Sequence, residues 1–211
     1  MSSIIKVGKV QSSTGQDAIE IANDGTITAN GAIDSLKTDT ISEKTSANGV
    51  SIDGLKVKDY SLMYGSNIGL TVNSTGLVTE PNKPMVSAYI SVAQTSPTTQ
   101  DPMVFQSTNF NVGSHYNTSN GRFTCPVSGY YWCHYHSNFY ITSDVAHCEF
   151  QLNGSLVKGR QYHGSQGNNG WYNFSISNII SASATDYITL KGTGVRADGD
   201  SYGAYLIYLL S

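Results

Sequence analysis

The sequence predicts an all-β protein, and three observations favour that fold class. Residues 105–137 contain three segments in which large apolar and polar residues alternate, and alternation at a period of two is typical of strands. Asn-Gly, Pro and Ser-Gly interrupt these segments, as is typical of turns. Charged residues make up only 13% of the 211-residue chain, whereas Gly, Ser, Thr and Asn are abundant. This is the composition of a β-rich protein with polar, uncharged surfaces.

The first 82 residues lack Phe, Trp and Cys, so they cannot build a globular core alone. They contain short apolar pairs, such as Leu55 with Val57, separated by Asn-Gly and Asp-Gly turns. Strands this short are marginal in isolation and become stable when other chains cover them. The sequence therefore predicts an amino-terminal segment over 1–39 and a stalk of intertwined short strands over 40–82. Disorder is the alternative for so polar a segment, but the regular apolar pairs argue against it.

The remaining residues, 83–211, predict a head with a hydrophobic core. Residues 147–159 predict two strands that turn at Asn153-Gly154, and residues 170–192 predict two more alternating strands. The final run, 201–211, is so apolar that it should lie inside a sandwich of sheets. Three cysteines cannot all pair within one chain, and buried thiols are favoured over disulfides.

Seven residues of this head have a distinctive spacing: Phe105, Asn111, Tyr116, Phe123, Gly129, Tyr131 and Tyr135. The spacing resembles the signature of the globular head of the q subunit of the first complement component, a family that shares a jelly-roll fold with tumour necrosis factor. Cys133 stands where that family has Phe, so a neighbour such as Trp132 or Phe150 should fill the space. The resemblance implies a ten-stranded jelly-roll sandwich over 83–211 that assembles as a homotrimer.

A second resemblance concerns the stalk. Residues 39–59 and 69–84 resemble stretches that precede the carboxy-terminal head in fibre and appendage proteins of tailed bacteriophages, especially marine cyanophages. The resemblance implies a virion structural protein assembled in the host cytoplasm, with residues 1–39 anchoring it to other virion proteins. Its head would recognise the host surface or decorate the particle. The alternative is a non-viral soluble ligand or matrix-type protein that binds a protein receptor, and the lack of an export signal at the amino terminus favours the virion.

Charge and motifs exclude several other classes of function. The formal net charge is −3, and Lys and Arg are scattered, so nucleic-acid binding is not expected. No segment is apolar for long enough to predict insertion in a membrane. The sequence has no nucleophile elbow, phosphate loop or dinucleotide fingerprint, and we do not expect an enzyme.

Residues 159–173 are the candidate binding segment, because aromatic side chains stand there among glycines and amides. We predict an exposed loop in which Tyr162, His163, Trp171 and Tyr172 bind a glycan or protein of a host surface. Rings bury apolar area against such ligands while polar groups fix their orientation. The alternative is that Trp171 and Tyr172 open the next strand and belong to the core.

Two candidate metal sites have less support in the sequence than this binding segment has. Asp198 and Asp200 lie in a polar loop and could bind calcium, as some members of the complement-like family do near the trimer apex, although such a pair is more often a turn. His134 and His136 form a His-x-His that could hold zinc or nickel with a third ligand. No Cys or carboxylate is spaced nearby, so a hydrogen-bonded pair is favoured. The protein requires no cofactor on this interpretation.

Overall fold

The structure is a computed structural model that describes residues 9–11, 17–21, 27–29, 48–52, 55–93, 99–141, 145–164, 170–196 and 203–211. Within these ranges the chain forms twenty strands and no helix, which confirms the all-β prediction. None of the described residues therefore forms an apolar helix that could cross a bilayer. The chain divides into two compact units, Met1–Ile52 and Asp53–Ser211.

The first unit contains four short strands among its described residues. They are β1 (Lys9–Gln11), β2 (Asp17–Ile21), β3 (Ile27–Ala29) and β4 (Val50–Ile52). Strands β1, β2 and β3 form an antiparallel sheet in that order, in which Ile19 lies opposite both Val10 and Ala29. Ile19 is 38% exposed, so this sheet leaves apolar surface uncovered in the single chain.

The second unit begins with an antiparallel meander. Its strands are β5 (Leu55–Lys58), β6 (Ser61–Tyr64), β7 (Asn67–Val72) and β8 (Val78–Thr79), each paired with the next. Asp59 and Tyr60 both have positive φ, which makes the tight turn between β5 and β6. In the meander Ser61 alone is buried among the described residues, and Tyr60 is 84% exposed.

The head follows as twelve strands within the described residues: β9 (Met85–Tyr89), β10 (Thr99–Gln100), β11 (Ser107–Val112), β12 (Tyr116–Asn117), β13 (Arg122–Thr124), β14 (Gly129–Ile141), β15 (Val145–Leu152), β16 (Ser155–Gly164), β17 (Gly170–Ala182), β18 (Tyr187–Thr193), β19 (Val195–Arg196) and β20 (Ala204–Leu209). The first sheet has the order β11-β9-β20-β14-β17, with β19 paired to β14. The second sheet has the order β12-β13-β18-β15-β16, with β10 paired to β18. Ten strands were expected, and β10 and β19 are two-residue extensions of these sheets.

The two sheets enclose one core, because alternate residues of each strand face the other sheet. The ring of Tyr205 on β20 stacks on Phe105 at 4.6 Å between centroids and also contacts Phe150 of the second sheet at 6.2 Å. Phe123 of the second sheet packs edge-on against Tyr131 of the first at 5.8 Å. After β14 the chain crosses between the sheets four times, because β15 and β16 lie in the second sheet, β17 in the first, β18 in the second, and β19 and β20 in the first. Such crossings are typical of a double-sheet jelly roll. The predicted closing strand β20 lies between β9 and β14, inside the first sheet.

Most signature residues belong to this core. Phe105, Tyr116, Phe123, Tyr131 and Tyr135 are all at most 4% exposed. Asn111 instead fixes a turn: its Nδ2 donates to the Tyr116 carbonyl at 2.8 Å, and its Oδ1 accepts from the Tyr116 amide at 3.1 Å. At Gly129 a Cβ would lie 2.4 Å from the Ser211 carbonyl oxygen, so only glycine fits without a shift. The signature therefore encodes packing and turn geometry.

Cys133, where the resembled family has Phe, is fully buried, and all three cysteines are free thiols, as predicted. The expectation that Trp132 fills the missing volume is wrong, because Trp132 lies on the opposite face of β14 and packs against His134 and Tyr208. Phe150 is fully buried within the same core as Cys133.

The turn at Asn153-Gly154 joins β15 and β16, as predicted, with φ of 52° and 77° at the two residues. Asn153 Nδ2 donates to Asp186 Oδ1 at 2.8 Å, and Asn153 Oδ1 accepts from the Tyr187 amide at 2.9 Å. The Asn153 hydrogen bond, followed by one from the Ser183 amide, lowers the pKa of Asp186. This arrangement ties the hairpin to the start of β18.

Candidate functional site

A row of alternating charges crosses the outward face of the second sheet. Arg160 on β16 lies opposite Glu149 on β15, which lies opposite Lys191 on β18. Lys191 Nζ lies 2.8 Å from Asp101 Oδ2, and Arg160 Nε forms an ion pair with Glu149 Oε2. We call these four residues the charge ladder. Opposite charges directly across neighbouring strands stabilise a sheet, so the register itself places the ladder.

Glu149 is the buried member of the charge ladder. Its side chain lies on the outward face of the sheet, yet the residue is only 3% exposed. A buried carboxylate is costly unless cations and hydrogen bonds compensate it. Arg160 supplies the cation, and Gln151 Nε2 donates to Glu149 Oε1 at 3.5 Å. The arrangement fixes the Arg160 guanidinium on rigid strands, where only 29% of its side chain is exposed.

Tyr162 lies beside the charge ladder and is 56% exposed. Its hydroxyl accepts a hydrogen bond from Arg160 Nη1 at 2.7 Å, and the guanidinium lies 5.5 Å from the ring centroid. The ring of His147, directly opposite on β15, contacts the Tyr162 ring at 5.3 Å between centroids. An exposed ring is thus held by a cation on one side and an imidazole on the other, a surface that suits a ligand with both apolar and polar groups.

The surroundings of His147 favour the neutral form of its imidazole. Burial and then the positive charge of Arg160 lower its pKa from the usual 6.5, and the attraction of Glu149 opposes this only in part. His147 Nε2 lies 3.6 Å from Glu149 Oε2, a contact that becomes an ion pair only when the ring is protonated. The four charges of the charge ladder, two positive and two negative, cancel.

The described side chains among the four predicted binding residues lie on different sheets. Tyr162 is exposed, as predicted, but lies on strand β16 and not in a loop, because Ser155–Gly164 is paired with β15. Trp171 and Tyr172 open strand β17 in the other sheet, which was the alternative interpretation. Trp171 is 53% exposed and packs edge-on against Tyr140, whereas Tyr172 packs against the core. The backbone of His163 pairs with Ala146, and its side chain lies outside the described residues.

Sequence reasoning missed Arg160, Glu149 and His147. A simple hairpin about Asn153-Gly154 would set Glu149 opposite Lys158. The register instead shifts between Glu149 and Gln151, which brings Arg160 to that place. Gly159, with φ of 105°, lies on the bulged strand and permits the shift. The sequence does contain a signal for this group of side chains: His147-x-Glu149 on one strand of the hairpin and Arg160-x-Tyr162 on the next.

A second surface covers the outward face of the first sheet. Its apolar members, here called the apolar face, are Phe110, Trp132, Ile179, Leu206 and Tyr208. Ile179, Trp132 and Tyr208 lie side by side on three neighbouring strands. Ile179 is 58% exposed, Phe110 46% and Tyr208 39%. A contiguous apolar surface of this kind is typical of a site that contacts another protein.

His134 and His136 lie on the same side of β14 as the apolar face. His134 Nε2 and His136 Nδ1 are 3.2 Å apart, so the histidines form the predicted hydrogen-bonded pair. Among the described residues, no group of three or more His, Cys, Asp and Glu side chains could hold a metal ion. Asp198 and Asp200, the predicted calcium ligands, lie outside the described residues.

One family model matches part of the head. Residues 86–169 match the family model of the C1q domain, which confirms the complement-like resemblance for the head. The chain is also similar to the solved globular domain of the zebrafish complement 1qA protein, with 17% identity and a TM-score of 0.42, over 61% of this chain and 98% of that one. The comparison with curated proteins gave no match.

Proposed function

We propose that this protein is the subunit of a trimeric virion appendage in which a β-rich stalk presents a jelly-roll head to the host surface. The observation that carries the proposal is the uncovered apolar face of the head. A soluble chain gains stability when such a face packs against another copy. A closed three-fold arrangement would bury it in all copies alike, without leaving a surface for further growth.

The meander supports the same assembly. Its apolar side chains range from Leu62 at 37% exposed to Tyr60 at 84%, and the part of the chain that the structure describes supplies no layer that covers them. Neighbouring copies of the meander in a trimer would supply that layer. The C1q-domain match over residues 86–169 supports a head built for recognition and not for catalysis.

For recognition we assign the surface formed by Tyr162, Arg160 and His147. The exposed ring can stack on a sugar or an apolar side chain, while the guanidinium and imidazole supply hydrogen bonds of fixed direction. The ligand class is a glycan or protein of the host surface. This surface lies on the second sheet, so self-association through the first sheet would leave it accessible.

The virion role is supported by the resemblance of residues 39–59 and 69–84 to phage fibres and appendages. On this proposal residues 1–39 dock on other virion proteins, and assembly takes place in the host cytoplasm. Immunogold labelling of purified particles, with antibodies raised against the recombinant head, tests it directly. We expect label at one location on the particle. Unlabelled particles would favour a soluble receptor-binding protein.

Light scattering of the full chain at micromolar concentration tests the assembly. We expect the mass of three chains, and a single-chain mass would contradict the proposal. Ile179→Asp should dissociate the trimer, because it places a charge on the apolar face. Leu156→Asp is the matched control, since Leu156 is an aliphatic strand residue that is 49% exposed in the second sheet.

Binding to host cells tests the recognition surface. Tyr162→Ala should reduce binding of the fluorescent trimer by at least about tenfold, which is the effect of losing a central aromatic contact. Tyr130→Ala is the control, because Tyr130 is 54% exposed on the first sheet. Equal binding by both variants and the parent would remove Tyr162 from the site, while leaving the assembly untouched.

A further inference from the structure

The geometry of His134 and His136 points to a function that a hydrogen-bonded pair alone does not explain. We propose that the two imidazoles chelate a divalent transition-metal ion of the zinc class on the outward face of β14, with water completing the coordination. The inference concerns residues of one chain and does not depend on the proposed virion role. Because the pair lies on the same side of β14 as the apolar face, the ion would lie beside the surface that packs against another copy in the proposed trimer.

The separation of the two nitrogens is the first argument. A tetrahedral ion with metal–nitrogen bonds of about 2.0–2.1 Å holds two nitrogens about 3.3 Å apart. His134 Nε2 and His136 Nδ1 already lie 3.2 Å apart. Spacing of two residues on a strand keeps both rings on the same side of the sheet. An ion can therefore replace the hydrogen bond between them at nearly the same nitrogen–nitrogen distance, once both rings turn so that their electron pairs converge on the ion.

The orientation of His134 is the second argument. Its Nδ1 lies 2.7 Å from Ser177 Oγ on the neighbouring strand. In the tautomer in which Nδ1 donates to that hydroxyl, Nε2 has a free electron pair for an ion. Metal-bound histidines commonly donate their second ring nitrogen to such a partner. Trp132 stacks on the other side of the ring, with 5.2 Å between centroids and 11° between planes. The ring of His134 is thus held before any ion arrives.

The surroundings of His136 are the third argument. Its cross-strand neighbours are Ser175 and Ala204, which are both small and leave room above the ring. The corresponding neighbours of His134 are Ser177 and Leu206, so no cross-strand neighbour of the pair carries a charge. His136 is exposed. When an ion binds to its Nδ1, a neutral ring changes tautomer: the proton of Nδ1 goes to solvent and Nε2 takes one up from solvent, so no net proton is released.

The donor set selects the ion. Imidazole nitrogens suit zinc, copper and nickel, whereas calcium and magnesium require oxygen ligands. Two protein ligands leave open positions for water, so we expect exchangeable binding and not a structural site. This site is separate from the calcium expectation at Asp198 and Asp200.

Isothermal titration of untagged full-length protein with Zn²⁺, in a buffer that does not bind zinc, tests the proposal. We expect saturable binding of one ion per chain. His136→Ala should abolish it, and Ser177→Ala should weaken it by about tenfold, as loss of a ring-orienting partner does. His115→Ala is the control for imidazole content, since His115 contacts Phe123 on the other side of the molecule and has no paired histidine. Wild-type protein that takes up no Zn²⁺, or His136→Ala protein that binds like wild type, would overturn the proposal.

Tryptophan fluorescence provides a readout that a structural role would not change. Cu²⁺ at this site should quench Trp132, and a Trp171→Phe background leaves Trp132 as the only tryptophan. We expect quenching that EDTA reverses and that His136→Ala removes. Light scattering with and without EDTA should give the same mass, because the ion is not required for assembly. Quenching that persists in His136→Ala would place the ion elsewhere and refute the assignment.

Discussion

The head and the meander both consist of antiparallel strands joined by tight turns, yet they differ in what those strands cover. In the head, the alternate residues of two sheets meet in one core, where Tyr205 and Phe105 are at most 1% exposed. In the meander, alternate residues face solvent on both sides, and Val57 is 52% exposed. The comparison teaches that the same period-two pattern yields a domain only when a second sheet closes over it.

The largest expected effect comes from breaking the core of the head. Phe105→Ala removes a ring that stacks on Tyr205 and tilts against Tyr135, so it should lower the free energy of unfolding by about 3–5 kcal/mol. Chemical denaturation at fixed protein concentration measures the loss. Leu156→Ala is the control, because Leu156 is 49% exposed on β16 and lies outside the apolar face. Equal losses for the two variants would contradict the described core.

The next largest difference is expected when one glycine in each region is replaced by alanine. Gly129→Ala places a methyl group 2.4 Å from the Ser211 carbonyl oxygen and 2.8 Å from Leu209 Cδ1, so it should destabilise the head by about 1–3 kcal/mol. In the meander, Gly69→Ala meets only the Leu62 carbonyl oxygen at 3.5 Å, an ordinary contact, and should change little. Thermal unfolding midpoints of the two variants measure the difference. A larger loss at Gly69 would reverse the comparison.

Alkaline pH should destabilise the head, because its ionisable thiols and phenols are buried. Burial raises the pKa of Cys125 from the usual 9.0 to about 12, and burial likewise raises the pKa of Tyr131 to about 12. The folded chain keeps these protons while the unfolded chain loses them, so stability is complete below about pH 9 and falls as pH rises toward 12. Denaturant midpoints at pH 7 and pH 10.5 measure the fall. A midpoint that does not change with pH would contradict the burial of these groups.

The smallest expected effect is that of a substitution in the meander, which tests whether assembly covers its apolar side chains. If neighbouring chains cover the meander, Val57→Ser should lower the stability of the trimer by about 1 kcal/mol per chain, because it exposes area that is buried on assembly. If Val57 instead remains exposed to solvent, the same substitution should change the stability by less than about 0.5 kcal/mol. Denaturation at several protein concentrations separates the two results.

Much of the head could be predicted from local pattern. The alternation and the Asn153-Gly154 turn located β14, β15 and β16, and the apolar final run located the innermost strand β20. These features depend on neighbours in sequence, which is the information that a single chain provides. The turn at Asp59-Tyr60 was not found, because a tyrosine with φ of 62° has no sequence signal.

The candidate site was harder to predict, since it depends on contacts that are distant in sequence. Tyr162 and Trp171 are nine positions apart, but β16 and β17 belong to different sheets and so place them on different faces. The charge ladder depends on a register shift that occurs at Gly159. Register follows from packing over the whole sheet and not from the turn alone.

The hydrogen bonds of Asn153 also affect the chemical durability of the head. An asparagine followed by glycine ages by attack of the glycine nitrogen on the side-chain carbonyl, which releases ammonia. In the folded head, Asp186 and the Tyr187 amide hold both ends of that side-chain amide. The reacting atoms cannot rotate into line, and the acidic product would place a carboxylate against Asp186. The folded protein should therefore keep its original charge during long storage, whereas an unfolded chain would acquire a new negative charge at this position.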